Sequence, residues 1–191
     1  KGTMDVFCHI GCTNLPDTLE LLEHATGTGV EAALVLPPFY YKSPKVDGLE
    51  RFFTSVLDGA RIPILLYHIP AVSGVAITPE LLRRLAGHPR LYGLKDSSGN
   101  PEGLMTFLKD FPKLNVFTGS PKLIATTLQN GGAGAITGNG NVIPAQTAAV
   151  FKDFRSGKDT APAQDHLNRA VAISGGALPT MKFMLGQMGV K

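Results

Sequence analysis

The feature that most restricts the fold of this chain is an alternation. Short apolar runs and amphipathic segments follow one another six times between residues 4 and 157. The runs "MDVFCHI" (4–10), "EAALVLPP" (31–38), "IPILLYHIP" (62–70), "LYGLK" (91–95), "LNVFTG" (114–119) and "AGAIT" (133–137) read as strands. Between and after them, residues 15–29, 46–60, 78–89, 100–112, 120–132 and 143–157 read as helices. Their apolar residues recur at helical spacing, as with Leu49, Phe52, Phe53 and Val56. Stop and start signals agree with this. Thr78 precedes Pro79, and Asn100 precedes Pro101, so each pair reads as an N-cap followed by proline at the first helical position. Two further helices, about 161–174 and 178–189, close the chain.

Strands that alternate with helices imply a parallel sheet buried on both faces. An open doubly wound sheet and a (βα)₈ barrel both satisfy that pattern. The open sheet is helped by a phosphate-cradling GxGxxG after the first strand, and "HIGCTNLP" does not supply one. The polar residues stand instead at the C-terminal ends of several strands: Tyr40, Tyr67, Lys95 and Thr118-Gly119-Ser120. Barrel enzymes distribute their chemistry that way. The expected organisation is a partial βα barrel over residues 1–157 and a helical tail over 158–191.

Composition excludes several function classes. A net charge of +3, with no basic block interleaved with aromatics, argues against nucleic acid. Every apolar run is too short to span a bilayer. Two cysteines and a start without a signal-peptide pattern fit a reducing cytoplasm. "CHIGC" (8–12) invites a zinc reading, but no second ligand pair with metal spacing follows it. Cys8 and Cys12 are therefore expected to be buried strand residues, and no metal is expected. His68 alternates away from Tyr67 and is expected to face the helices or to cap a loop.

Lys95 poses the chemical question, because it ends a buried strand. An ammonium is costly to bury unless it is paired or loses its proton, and a neutral lysine amine is a nucleophile. By strand parity Lys95 shares a face with Gly93 and Leu91, and Tyr67 shares one with Leu65. A glycine beneath Lys95 leaves room for its side chain to lie inward. If both faces point into a barrel, Tyr67 and Lys95 meet at one height on adjacent strands, and the tyrosine can relay protons.

At these residues the chain resembles the class I, Schiff-base pyruvate aldolase/lyase family of dihydrodipicolinate synthase and N-acetylneuraminate lyase. The motifs are "LPPFYYKSP" (36–44), "LLYHIPAVSG" (65–74), "YGLKDSSGN" (92–100), "VFTGSP" (116–121) and "GAGAITGNGNVIP" (132–144). The resemblance implies that Lys95 forms the imine with a keto carbon and that Tyr67 moves protons. It implies substrate-binding roles for Tyr40 (or Tyr41, directly after it), Ser73, Gly119 and Ile136. No cofactor is implied. The implied partner is a small 2-oxo acid, and the implied assembly is a homotetramer, a dimer of dimers.

Two departures refine this. Members that make dihydrodipicolinate carry an arginine shortly after the Y-x-x-P motif, where this chain has Val72. An apolar side chain cannot grip a carboxylate, which points toward the 2-keto-3-deoxy sugar-acid aldolases. Lys1 also falls near the family's third strand, so the first two βα units, with their carboxylate-binding loop, have no counterpart. The expected reaction is reversible cleavage of such a sugar acid, or of a related 4-hydroxy-2-oxo acid, to pyruvate and an aldehyde. The alternatives are dihydrodipicolinate synthesis and an inactive binding relative.

Overall fold

The structure is a computed structural model that describes residues 4–174 and 178–190. It divides into two compact units. The first runs to Ser98 and includes Lys109–Asn115, and the second comprises Gly99–Leu108 and Val116 onward. Of the expected tail, residues 175–177 and 191 lie outside the described residues.

The first unit holds β1 (Phe7–His9), α1 (Leu15–Thr28), β2 (Ala32–Val35), α2 (Val46–Gly59), β3 (Ile64–His68), α3 (Pro70–Ser73), α4 (Pro79–Leu85) and β4 (Leu91–Asp96). Its strands are parallel and lie in chain order. Local chemistry sets the helix boundaries. The Asn14 side chain accepts from the Asp17 amide to start α1, and Gly29 ends it at φ 76°. Thr78 accepts from the Leu81 amide to start α4. All four residues of β2 are buried, as expected of a strand covered on both faces. Phe53, Leu57, Ile64, Leu66, Leu81, Leu82 and Leu94 are fully buried. Each contributes about 1.5–3 kcal/mol of burial. This core fixes the strands whose ends carry the polar residues of interest.

The second unit contains most of α5 (Pro101–Asp110) and of β5 (Asn115–Thr118). It also contains α6 (Ile124–Gln129), β6 (Gly134–Ala135), α7 (Pro144–Arg155), α8 (Ala161–Ser174) and α9 (Leu178–Gln187). β5 and β6 pair in parallel. Asn100 caps α5, its side-chain oxygen accepting from the amides of Glu102 and Gly103. α8 belongs to this unit's core, where Leu167 packs with Ile124, Ala125, Leu128 and Val150. Gln164 secures the contact, accepting from the Ala125 amide at 2.9 Å and donating to the Pro121 carbonyl at 2.9 Å.

Three expectations need correction. Cys8 and Cys12 are half-buried, not buried. Leu91 does not share a face with Lys95. Leu91 is in register with Ile64, the register shifts before Leu65, and only then do Gly93 and Lys95 pair with Leu65 and Tyr67. Gly93 is small for a different reason than expected. A Cβ there would overlap the carbonyl oxygen of Asn115, so the vacancy is filled by backbone rather than left to the lysine.

Candidate active site

Tyr67 and Lys95 are direct partners in the β3–β4 ladder, so their side chains leave the sheet on the same face. The Lys95 Nζ lies over the Tyr67 ring, 3.9 Å from its centroid. Both residues are half-buried. The aromatic face attracts the ammonium by about 0.5–2 kcal/mol. It also keeps Nζ at the mouth of the strand ends instead of letting the four-carbon stem wander. Lys95 therefore has an aromatic partner on the adjacent strand.

One layer beneath this pair the register runs His9, Leu34, Leu65, Gly93. His9 rises from that layer to meet Tyr67 edge to face, with ring centroids 6.0 Å apart. Gly11 makes room for it, since a Cβ at Gly11 would stand 3.0 Å from the His9 Cε1 and 2.8 Å from the Leu36 nitrogen. Burial, and then the nearby Lys95 charge, hold the His9 imidazole below its ordinary 6.5. Three groups able to exchange protons thus share one face of one sheet. Sequence reasoning missed His9, because it was weighed only as a metal ligand beside Cys8 and Cys12. The signal that could have found it was its place at the C-terminal end of β1, two residues before a glycine.

The opposite face carries a structural pair. His68 and Asp96 are also ladder partners, and His68 Nε2 lies 3.9 Å from Asp96 Oδ1. His68 Nδ1 accepts from the Ile77 amide at 3.0 Å. The proton of the neutral ring therefore sits on Nε2, toward Asp96. Burial holds His68 below its ordinary 6.5, and the Asp96 charge only partly opposes that. The Ser97 amide donates to the His68 carbonyl at 2.7 Å, and the Ser98 amide donates to Asp96 Oδ1 at 2.9 Å. These bonds pin the ends of β3 and β4, and with them the positions of Tyr67 and Lys95.

The remaining expected residues are more scattered. Tyr40 is 71% exposed on the loop after β2, edge to face with Tyr41. Val72 is 74% exposed in the turn after β3. Ser73 beside it is 1% exposed. Its hydroxyl lies within hydrogen-bond reach of the Ile69 and Val75 carbonyls and accepts from the Val75 amide. That hydroxyl builds the turn and is not presented to a ligand. Gly119 and Ile136 belong to the second unit. Gly119 follows β5, and the Ile136 amide donates to the Thr118 carbonyl at 2.9 Å. In the same unit Asn139 is buried, and its Nδ2 has no hydrogen-bond partner among the described residues. No group of three or more His, Cys, Asp or Glu side chains suited to a metal occurs among the described residues. No described helix is long and apolar enough to cross a membrane.

The chain is similar to known proteins along nearly its whole length. The sequence profile of the dihydrodipicolinate synthetase family matches residues 1–190. An uncharacterized DapA-like lyase of Chloroflexus aurantiacus is 42% identical over 172 residues, covering 88% of this chain and 58% of the relative. The 4-hydroxy-tetrahydrodipicolinate synthase of Methanoculleus marisnigri is 31% identical over 189 residues, covering 95% of this chain and 64% of the relative. Among solved structures, YagE of E. coli K12, a prophage protein of the dihydrodipicolinic acid synthase family in complex with pyruvate, superposes with a TM-score of 0.87. It is 27% identical, and the match covers 95% of this chain and 63% of that one. The chain thus spans about three-fifths of the length of these relatives.

Proposed function

The chain belongs to the dihydrodipicolinate synthetase family, and on that premise we propose that Lys95 is a Schiff-base nucleophile in a pyruvate-dependent aldolase. The observation that carries the proposal is the placement of Lys95 Nζ over the Tyr67 ring, from paired positions at adjacent strand ends.

In this reading the free Lys95 amine attacks the keto carbon of a 2-keto-3-deoxy sugar acid, and water leaves as the imine forms. The iminium then accepts the electron pair of the C3–C4 bond. That bond breaks to give an enamine on Lys95 and an aldehyde. Tyr67 takes the proton lost by the C4 hydroxyl and returns a proton to the enamine carbon. Hydrolysis of the resulting imine frees pyruvate and regenerates the amine. Tyr40 and the backbone at Gly119 and Ile136 are the proposed substrate contacts, and Ser73 acts through the turn it holds. The protein works without a cofactor and assembles as a homotetramer.

The relatives named 4-hydroxy-tetrahydrodipicolinate synthase favour a second reading, condensation of pyruvate with aspartate semialdehyde. Val72 weighs against it, because an exposed valine offers no bidentate grip on the second substrate's carboxylate. Steady-state assays on the protein as its gene encodes it separate the two. Pyruvate release from 2-keto-3-deoxy sugar acids, with no useful turnover of pyruvate and aspartate semialdehyde, is the expected result. Efficient condensation of that pair overturns the assignment.

A further inference from the structure

We propose that Lys42 is a positioning residue for the aldehyde half of the site, an inference that rests on the aldolase reading above. Lys42 lies on the loop that leaves β2, two residues after Tyr40. Its ammonium donates to the Phe39 carbonyl at 2.6 Å and to the Ser73 carbonyl at 3.1 Å. The first bond closes the loop that presents Tyr40 and Tyr41. The second ties that loop to the turn after β3, the strand that ends with Tyr67 and His68. One cation thus sets the spacing of two loops that leave the C-terminal ends of neighbouring strands.

The turn is shaped to receive the lysine stem. Gly74 adopts φ +69°, which glycine reaches at little cost. A Cβ at Gly74 would stand 2.8 Å from the Lys42 Cδ and 3.4 Å from its Cε. The glycine therefore serves both the turn and the passage of the stem. Bonds from a charged donor to carbonyls are stronger than neutral ones and are held in a narrower geometry. The loop has little else to hold it, because Tyr40, Tyr41, Lys42 and Ser43 are all exposed. Lys95 and Tyr67 are fixed independently by the β3–β4 ladder and the His68–Asp96 pair beneath it. Loss of Lys42 should accordingly spare imine formation and loosen the part of the site that holds the aldehyde.

The test uses Lys42→Met and Lys42→Arg in the protein as its gene encodes it. Three readouts apply: borohydride trapping with pyruvate alone, the KM for the aldehyde in the condensation direction, and hydrogen exchange of residues 39–45. Lys42→Met should raise the aldehyde KM roughly tenfold and speed exchange in the loop, with kcat and trapping unchanged. Lys42→Arg, whose guanidinium can also bridge two carbonyls, should stay within about twofold of wild type. A labelled wild type with an unchanged aldehyde KM in Lys42→Met overturns this inference alone. So does an equal fall in kcat and trapping, or an arginine variant that behaves like the methionine one. A wild type that pyruvate and borohydride leave unlabelled overturns the aldolase reading, and this inference with it.

Discussion

Tyr67 offers Lys95 two things that separate cleanly by mutation. Its ring lies under the Lys95 Nζ at 3.9 Å, and its hydroxyl is the proposed proton carrier. Tyr67→Phe keeps the ring and removes the hydroxyl. Imine formation should therefore persist, while turnover falls by about 10²–10⁴-fold, the usual effect of a lost general acid–base group. Trapping and steady-state rates measured on the same preparation check this. A variant that loses both in proportion would mean that the hydroxyl is needed before the imine exists. His9 stands edge-on to the same ring, and its neutral form is favoured by burial and by the Lys95 charge. The residue pair was legible in the sequence because the parity of β3 and the end of β4 place both side chains on one face. The third member was not, because His9 reaches Tyr67 across an intervening strand, and strand parity pairs residues only between adjacent strands.

At the scale of elements, β3, β4 and the segment before α4 are joined by His68. Its Nδ1 accepts from the Ile77 amide, and its Nε2 faces Asp96. Burial keeps the folded-state value of His68 below the ordinary 6.5. Below that pH the unfolded chain binds a proton that the folded chain refuses. Unfolding free energy therefore rises with pH in this window: the contribution is complete above 6.5 and is lost as the pH falls from there toward the lower folded value. His68→Gln, which can still accept from Ile77, should flatten that acid slope relative to wild type. Urea midpoints measured across the window check it, and an unchanged slope would assign the acid sensitivity to other groups.

The elements themselves were largely legible. Capping by Thr78 and Asn100, and the buried stripe of α2, follow from sequence spacing and reappear as bonds and buried faces. The one-turn α3 was not foreseen, because four residues that begin with a proline carry no periodicity. Residues 120–132 divide into a short 3₁₀ turn, Pro121–Leu123, and α6. β6 shrinks to Gly134–Ala135, with Gly134 at φ +151°. A glycine-rich stretch has few side chains whose burial could extend the strand. The register shift between Ile64 and Leu65 was equally hidden, and it is what removes Leu91 from the face of Lys95.

At the scale of the whole molecule, alternating strands and helices identify the fold class, and the family match over residues 1–190 agrees with it. The place where the compact units part was not legible. Gln164 and Leu167 bind α8 into the core with α6 and α7, so a helix that reads as a tail is a wall of the second unit. A backbone amide seeking an acceptor 39 residues away leaves no mark on the local pattern. The central claim is that one lysine among the many in this chain is the nucleophile, and it has a direct test. The protein as its gene encodes it is incubated with pyruvate, reduced with borohydride, digested and mapped by mass. The account predicts a single pyruvate-derived adduct on the peptide that contains Lys95, absent from the Lys95→Ala variant, whose turnover is abolished. An adduct on another lysine, or none at all, would contradict it.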